Sequence, residues 1–541
     1  MKKNSFIEGT IIASLAIIIT KILGAIYVIP FYAIIGENGG VLYSYAYNIY
    51  NLFLNISTAG IPVAVSMVIS EYAALEMFEA KERSYKISKK IITILSIGAF
   101  LILFLFAKQI GMFYIKDLDG GNNIKDVALV IRAISTCLLI IPFLSVLRGY
   151  LQGNKFIAPS SISQVVEQVI RVIVIIVGSY LAINVFKLSV PLGVSIALLG
   201  ALFGGLVAYL YLRLKINKNK YNFKKSNEKD LVTNKEITKK IISYSIPLII
   251  IAIIGNLYDL IDIKLILTGL NMLGFPGDKA ELITSIIATW APKICMIMAA
   301  ISIGLTTGLI PHLIDSFTRK DYGEVNKKFN QALSYLAVLT LPMATGLFLL
   351  SKPIYTLFYG SSTYGPLILQ ALAILNIFTG VLTIVNTTLQ GMKKFKMIYL
   401  NSVIGLLVNV ALNIPMILLL NKIGFEPFYG SIIATIIGTS ISMIIIFIYF
   451  KKEYNFTYKS SVKNFSKTLI PTFIMGLIVF LLSKVLPLTS GLSLLINLMI
   501  IIIIAASCYL FILYKNNTLY EVFGEEYIKS IINKIPFVKV K

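Results

Sequence analysis

Fourteen long, predominantly apolar runs, each bounded by charged or turn-forming residues, dominate this chain. A run of about 20 apolar residues crosses the ~30 Å hydrocarbon layer of a bilayer as a helix. The runs fall near Thr10–Ile34, Val41–Ser70, Ile91–Phe113, Val127–Leu147, Ser161–Ile183 and Val190–Leu212. After a polar linker come Ile241–Leu267, Ile283–Leu313, Phe329–Leu350, Leu367–Leu389, Tyr399–Leu420 and Tyr429–Phe450. Thr468–Leu486 and Leu492–Leu513 complete the set. The lengths suit tilted helices, so the expected fold is an all-α integral membrane protein with both termini on one side. Only 14% of the 541 residues are charged and 57% are hydrophobic, against about 25% charged in soluble domains. That balance excludes a soluble enzyme, a disordered protein and a DNA-binding protein.

The net charge of +24 is explained by where the charges lie. With the N-terminus in the cytoplasm, 36 of the 49 Lys and Arg residues fall in the N-terminal segment, the even-numbered loops and the C-terminal tail. Nine (Lys108, Lys116, Lys125, Lys187, Lys264, Lys279, Lys352, Lys422 and Lys484) lie in the odd-numbered loops or at the span ends beside them. Four more, Lys21, Arg132, Arg171 and Lys293, are inside spans. This asymmetry follows the positive-inside rule and puts the expected position of both termini on the cytoplasmic side. It also removes nucleic acid as a partner, because the charge alternates with topology and forms no single patch. Cys137, Cys295 and Cys508 sit in apolar runs without disulfide or metal spacing. The start, MKKNSFIEG, leads into a first span with no obvious cleavage site. In the tail, Val522, Phe523, Tyr527, Ile528, Ile531, Ile532 and Ile535 among charges suit either an amphipathic helix on the inner leaflet or a short packed cap.

The two halves repeat. A shift of 238 residues lays Leu151-Gln152-Gly153 on Leu389-Gln390-Gly391 and Lys155 on Lys393. Lys89-Lys90 falls on Lys327-Lys328, and Gly60-Ile61-Pro62 resembles Leu309-Ile310-Pro311 with a different gap. Six spans per half give both halves the same orientation, the parallel repeat from which many transporters are built. The expected organisation is an N-terminal lobe at 1–213, a basic cytoplasmic linker at 214–240 and a C-terminal lobe at 241–450. Two further spans lie within 465–515, and a cytoplasmic amphipathic tail occupies 516–541.

Three segments carry a family resemblance: TKILGAIYVIPFYAIIGENG (20–39), YNLFLNISTAGIPVAVSMVISEYAAL (50–75) and RGYLQGNKFIAPSSISQVVEQVIRV (148–172). With the order and spacing of the spans, the chain resembles the Firmicutes branch of MurJ-like and SpoVB-like proteins. These belong to the multidrug/oligosaccharidyl-lipid/polysaccharide exporter superfamily. The resemblance implies two six-helix lobes in a V with two extra C-terminal helices, and a flippase for a polyprenyl-diphosphate-linked precursor such as lipid II. MurJ-like proteins of other bacteria carry several Arg in spans 1 and 2; here Lys21 stands at the first such place, Tyr27 at the second, and span 2 has no basic residue.

An ionisable group at mid-bilayer costs at least about 2.5 kcal/mol and usually faces a cavity or a partner. Lys21 is central in span 1, and Lys293, beside the only tryptophan, Trp290, is inside span 8. Both are candidates to attract a lipid diphosphate. Glu167 and Arg171, four apart on span 5, share a helix face and can pair. Arg148 ends span 4 and could take a headgroup phosphate; Arg132 is close enough to a surface to snorkel. His312, the lone histidine, reads as an interfacial residue or a proton relay. A second set, Asp259 and Asp262 on span 7, Asn409 and Asn413 on span 11 and Thr435 on span 12, offers oxygens suited to Na+ as a coupling ion. It resembles a sodium site in the C-terminal lobe of some MurJ-like proteins; interhelical hydrogen bonding is the other reading. No GxxxxGK[ST] loop and no His/Cys/carboxylate cluster appears, so neither ATP hydrolysis nor metal catalysis is expected. The expectation is a monomeric secondary transporter contacting membrane lipid and a lipid-linked glycan. A flippase for another lipid-linked polysaccharide unit, a cation-coupled drug antiporter and, remotely, a membrane-bound glycan-processing enzyme are the alternatives.

Overall fold

The computed structural model describes residues 6–58, 60–116, 121–218, 232–488 and 491–525. It is helical throughout, with no strand among the described residues. Thirteen helical segments among them are long and apolar enough to cross a membrane. They correspond to the second through fourteenth expected spans, and the Phe6–Ile26 helix covers most of the first. Large apolar side chains such as Phe473 and Val485 are 74% and 76% exposed, the inside-out pattern of helices that face lipid.

The breaks between elements have local causes. Spans 1 and 2 meet at Gly36, whose φ of 66° and ψ of −174° is open to glycine and to few other residues. Pro62 opens the Ile61–Ala74 helix, where its missing N–H costs nothing. Proline within a span leaves a carbonyl without its helical donor. A 3-10 turn, Thr136–Leu139, precedes Pro142, and a π turn, Ile286–Trp290, precedes Pro292. Pro342 lies inside the Tyr322–Leu349 helix and frees the carbonyl of Val338. That oxygen accepts a 2.7 Å hydrogen bond from the Tyr509 hydroxyl on the last span.

By its internal contacts the chain divides into two compact units, Met1–Trp290 and Ala291–Lys541. The division falls inside span 8, beyond the basic linker at 214–240. The reason is the Asn234–Met272 helix, which packs on the Val28–Thr58, Ile61–Ala74 and Phe78–Leu105 helices. Its start is fastened by a capping box at Thr233 and Glu236, by Lys240 paired with Glu71, and by Arg83 donating to Val232 O at 2.7 Å.

The repeat is visible inside each unit. Lys155 and Lys393 both take left-handed backbone, φ 65° and 56°. Phe156 N donates to Leu151 O at 2.9 Å, and Lys394 N to Leu389 O at 2.8 Å, the same helix-ending turn. A Cβ on Gly153 would lie 2.8 Å from Ile69, and one on Gly391 would lie 2.8 Å from Leu313. The glycine of each LQGxK therefore serves the same close helix contact in its own unit.

In the second unit, spans 13 and 14 are joined to span 9 by polar pairs and an apolar core. Ser461 Oγ donates to Asn330 Oδ1 at 2.7 Å, and Asn464 Nδ2 to Ser334 Oγ at 3.0 Å. Val338, Met475, Leu498, Ile501 and Tyr509 pack together nearby. The short Thr518–Phe523 helix closes this end: Phe523 stacks on Tyr335 at 5.1 Å, and Glu521 accepts from Lys467 at 2.6 Å with Lys463 at 3.6 Å. The hydrogen bond from Lys467, with both lysine charges, holds the Glu521 carboxyl below the usual carboxylate range. These residues form a packed cap; residues 526–541, which carry most of the expected amphipathic tail, lie outside the described residues.

Tyr509→Phe should lower the stability of the detergent-purified protein by about 1–3 kcal/mol, the cost of an unmet buried acceptor. Pro342→Ala in the same chain should restore the thermal midpoint, because an alanine N–H can satisfy Val338 O within the helix.

Candidate functional site

Charge is concentrated inside the first unit around Glu167, on the Ile157–Ile173 helix. Glu167 is 9% exposed and meets two guanidiniums. Arg171, one turn on, pairs with Oε1, and Arg148 Nη2 lies 2.9 Å from Oε2. Arg148 Nε also donates to Ser163 Oγ at 2.8 Å. The Gly200–Lys218 helix approaches this segment closely. A Cβ on Gly204 would sit 2.5 Å from Glu167 O, and one on Gly200 would sit 2.9 Å from Arg171 O. Small residues at i and i+4 permit such contact in membranes. Tyr43, Tyr47 and Tyr50 of the Val28–Thr58 helix are all within electrostatic reach of Arg171. The pairing of Glu167 with Arg171 agrees with their spacing. The third member, Arg148, was expected separately; the fold makes one cluster of two cations and one anion.

Lys21 is half-buried on the Phe6–Ile26 helix, which packs against the Ile157–Ile173 helix carrying Glu167 and Arg171. Lys293 is half-buried in the second unit, one residue after Pro292. The side chain of His312 lies outside those described.

The second set is split between the units. Asp259 is exposed and Asp262 half-buried in the first unit. In the second, Asn409 Nδ2 donates to Thr435 Oγ1 at 2.8 Å and Asn413 Nδ2 reaches Ser431 Oγ at 3.4 Å. Both asparagines are fully buried, and Asn409 Oδ1 has no hydrogen-bond partner. Close approach of the two helices depends on Gly405 and Gly438: a Cβ on Gly438 would lie 2.7 Å from Gly405 O. The free amide oxygen and the neighbouring hydroxyl are of the type a hard cation takes.

A further polar set in the first unit was not legible in sequence. Trp290, fully buried, donates to Gly40 O at 3.3 Å and meets Tyr32 edge-on at 4.8 Å. Ser44 Oγ and Thr289 Oγ1 are 2.7 Å apart, and Asn48 Nδ2 donates to Thr289 Oγ1 at 2.9 Å. Glu281, 1% exposed, accepts from both the backbone N and the Nδ2 of Asn122 at 3.0 Å, with Tyr45 beside it. Gly121, at φ 86° and with its virtual Cβ 2.6 Å from Glu281 Oε2, permits this approach. Gly121→Ala should therefore release the loop and raise hydrogen exchange at the Asn122 amide at least about tenfold.

A helical bundle with thirteen or more apolar spans, an internal parallel repeat and buried cations defines a multi-pass membrane transporter fold. Comparisons with known proteins make this specific. Residues 6–274 match the family model described as "Polysaccharide biosynthesis protein", and residues 288–414 match MatE. The chain is 31% identical over 492 residues to the lipid II flippase MurJ of Bacillus subtilis (strain 168), covering 89% of each chain. It is 26% identical to stage V sporulation protein B of the same organism, over 76% of this chain and 78% of that one. Among solved structures, a lipid II flippase MurJ in an inward closed conformation superposes with a TM-score of 0.68, at 17% identity, covering 95% of this chain and 100% of the other. An inward-facing multidrug resistance MATE family transporter gives 0.65, at 14% identity, covering 81% and 94%. The chain belongs to the MurJ-like family.

Proposed function

We propose that this protein is a secondary transporter that flips a polyprenyl-diphosphate-linked cell-wall precursor, lipid II, across the bacterial cytoplasmic membrane by alternating access. The observation that carries the reading is the similarity to a lipid II flippase over 89% of both chains. The buried chemistry agrees with it. A lipid diphosphate brings negative charge into an apolar protein, and such charge needs cations on its way. Lys21, Arg148 and Arg171 would supply them in the first unit, with Glu167 orienting the guanidiniums, and Lys293 in the second. Spans 13 and 14 would shelter the lipid tail. A second reading, another lipid-linked polysaccharide unit as cargo, is favoured by the polysaccharide biosynthesis match over 6–274. Both termini would face the cytoplasm, and a single copy would suffice.

Lys21→Ala or Lys293→Ala should each reduce flipping at least about tenfold while the protein still inserts, and Lys→Arg should retain more activity because the charge remains. The check is growth and surface labelling of lipid II in cells depleted of their own flippase. Full rescue by the double alanine variant would reject the assignment of both lysines.

On this reading, the Ser44–Thr289 contact between spans 2 and 8 opens during alternating access. Ser44→Cys with Thr289→Cys should form a disulfide that stops transport under oxidation and releases it on reduction. Unimpaired transport by the cross-linked protein would show that this contact stays closed throughout the cycle.

Sodium is the proposed coupling ion, as an alternative to membrane potential. Asn409, Asn413 and Thr435, all in the second unit, would contribute oxygen ligands. Bound there, Na+ would favour one conformation and so couple its gradient to transport. Asn409→Leu should then abolish any stimulation of transport by sodium; a sodium response equal to that of the parent would remove Asn409 from the site.

A further inference from the structure

The cluster around Glu167 holds more buried donors than acceptors. A guanidinium carries five N–H groups and a carboxylate offers two oxygens. Both oxygens of Glu167 are engaged, one by each arginine, and Ser163 Oγ takes Arg148 Nε. Left over are Arg171 Nε and the Tyr50 hydroxyl, both buried and without a hydrogen bond. Arg148 Nη2, although close to Oε2, is also not aligned to make one. Tyr50 is 3% exposed, on the Val28–Thr58 helix that packs against the Ile141–Gly153 helix carrying Arg148, and lies within electrostatic reach of Arg171 and Glu167. Unmet buried donors are costly, and here they accompany a net charge of one positive unit on the triad. Donors in excess, positive charge and enclosure are the features of a site for an anion.

We propose that Tyr50, Arg148 and Arg171 form an anion-binding site inside the first unit, suited to a phosphate-type oxyanion, with Glu167 as the resident acceptor. Tyr50 and Arg171 Nε donate to the incoming oxygens. Glu167 holds the two guanidiniums in its absence and competes with the ligand for them. The ligand's phosphate chemistry has two sources, the diphosphate of a prenyl-linked substrate or a free inorganic anion. Assigning it to the transported lipid rests on the transporter reading; binding is therefore measured apart from transport, so that either can fail alone.

The experiment is calorimetric titration of the purified full chain with inorganic pyrophosphate and, separately, with farnesyl diphosphate. Tyr50→Phe, which removes one hydroxyl and little else, should weaken binding about tenfold. Arg171→Lys should weaken it similarly, because the charge stays but the Nε donor is lost. Glu167→Gln should tighten binding by about tenfold, since it removes the competing charge; a purely structural ion triad predicts no such gain. Should Glu167→Gln fail to fold, the Tyr50 and Arg171 variants decide the matter. Binding of both probes with this dependence supports a general oxyanion site. Binding of farnesyl diphosphate alone supports the lipid substrate as the source. No binding of either probe, or binding indifferent to Tyr50→Phe and Arg171→Lys, overturns the proposal.

Discussion

Hydrocarbon offers no hydrogen bonds, and the rest of this structure follows from that constraint. Carbonyls that prolines release, and charges that spans carry inward, call for a partner from the chain, from water or from a ligand. Tyr509 answers Val338 O, freed by Pro342. Asn330 and Ser334 answer Ser461 and Asn464, which seats span 13 on span 9. Helices that carry such pairs must come close, and Gly200, Gly204, Gly405 and Gly438 are where they do. Packing and polar satisfaction are therefore one requirement here: small residues bring the backbones together, and the asparagines, serines and tyrosines between them close the remaining hydrogen bonds.

Against that background the Glu167 cluster is unusual. The Asn330–Ser461 and Ser334–Asn464 pairs match donor to acceptor, whereas two guanidiniums share one carboxylate. A buried ion pair is weak evidence for stability, because desolvation offsets attraction. An excess of cation is harder to account for by stability, and easier by a ligand that is absent for part of a transport cycle. The same reasoning separates this cluster from the Asn409–Thr435 pair, where the unmet atom is an acceptor and the matching ligand is a cation.

Much of this was legible in sequence because the signals are local. Span positions follow from run length, and the gap left at 35–40 between the first two expected spans contains the break at Gly36. The LQGxK pair marked the repeat, and its two lysines share a left-handed turn. The Glu167–Arg171 pair followed from i,i+4 spacing. What was not legible depends on elements distant in the chain. Arg148 reaches Glu167 only because a turn and two glycines bring spans 4, 5 and 6 together. Tyr50, one of 30 tyrosines, carries no local mark. Glu281 precedes the expected span at 283–313, and Asn122, which meets it, lies 159 residues earlier in the chain. The basic linker suggested a boundary, yet the helix after it packs on the first half and the compact unit runs on to Trp290. Charge density marks where chain leaves the membrane, whereas apolar contact decides which bodies form.

The central claim is that this chain moves a lipid-linked glycan without altering it. The direct measurement is reconstitution of the purified protein into liposomes carrying fluorescent lipid II in the inner leaflet, with outer-leaflet lipid and its chemical identity followed together. The account predicts protein-dependent appearance of intact lipid II outside, well above the rate in empty liposomes. Lipid that stays inside, or emerges with its sugar or diphosphate linkage cleaved or extended, would contradict it.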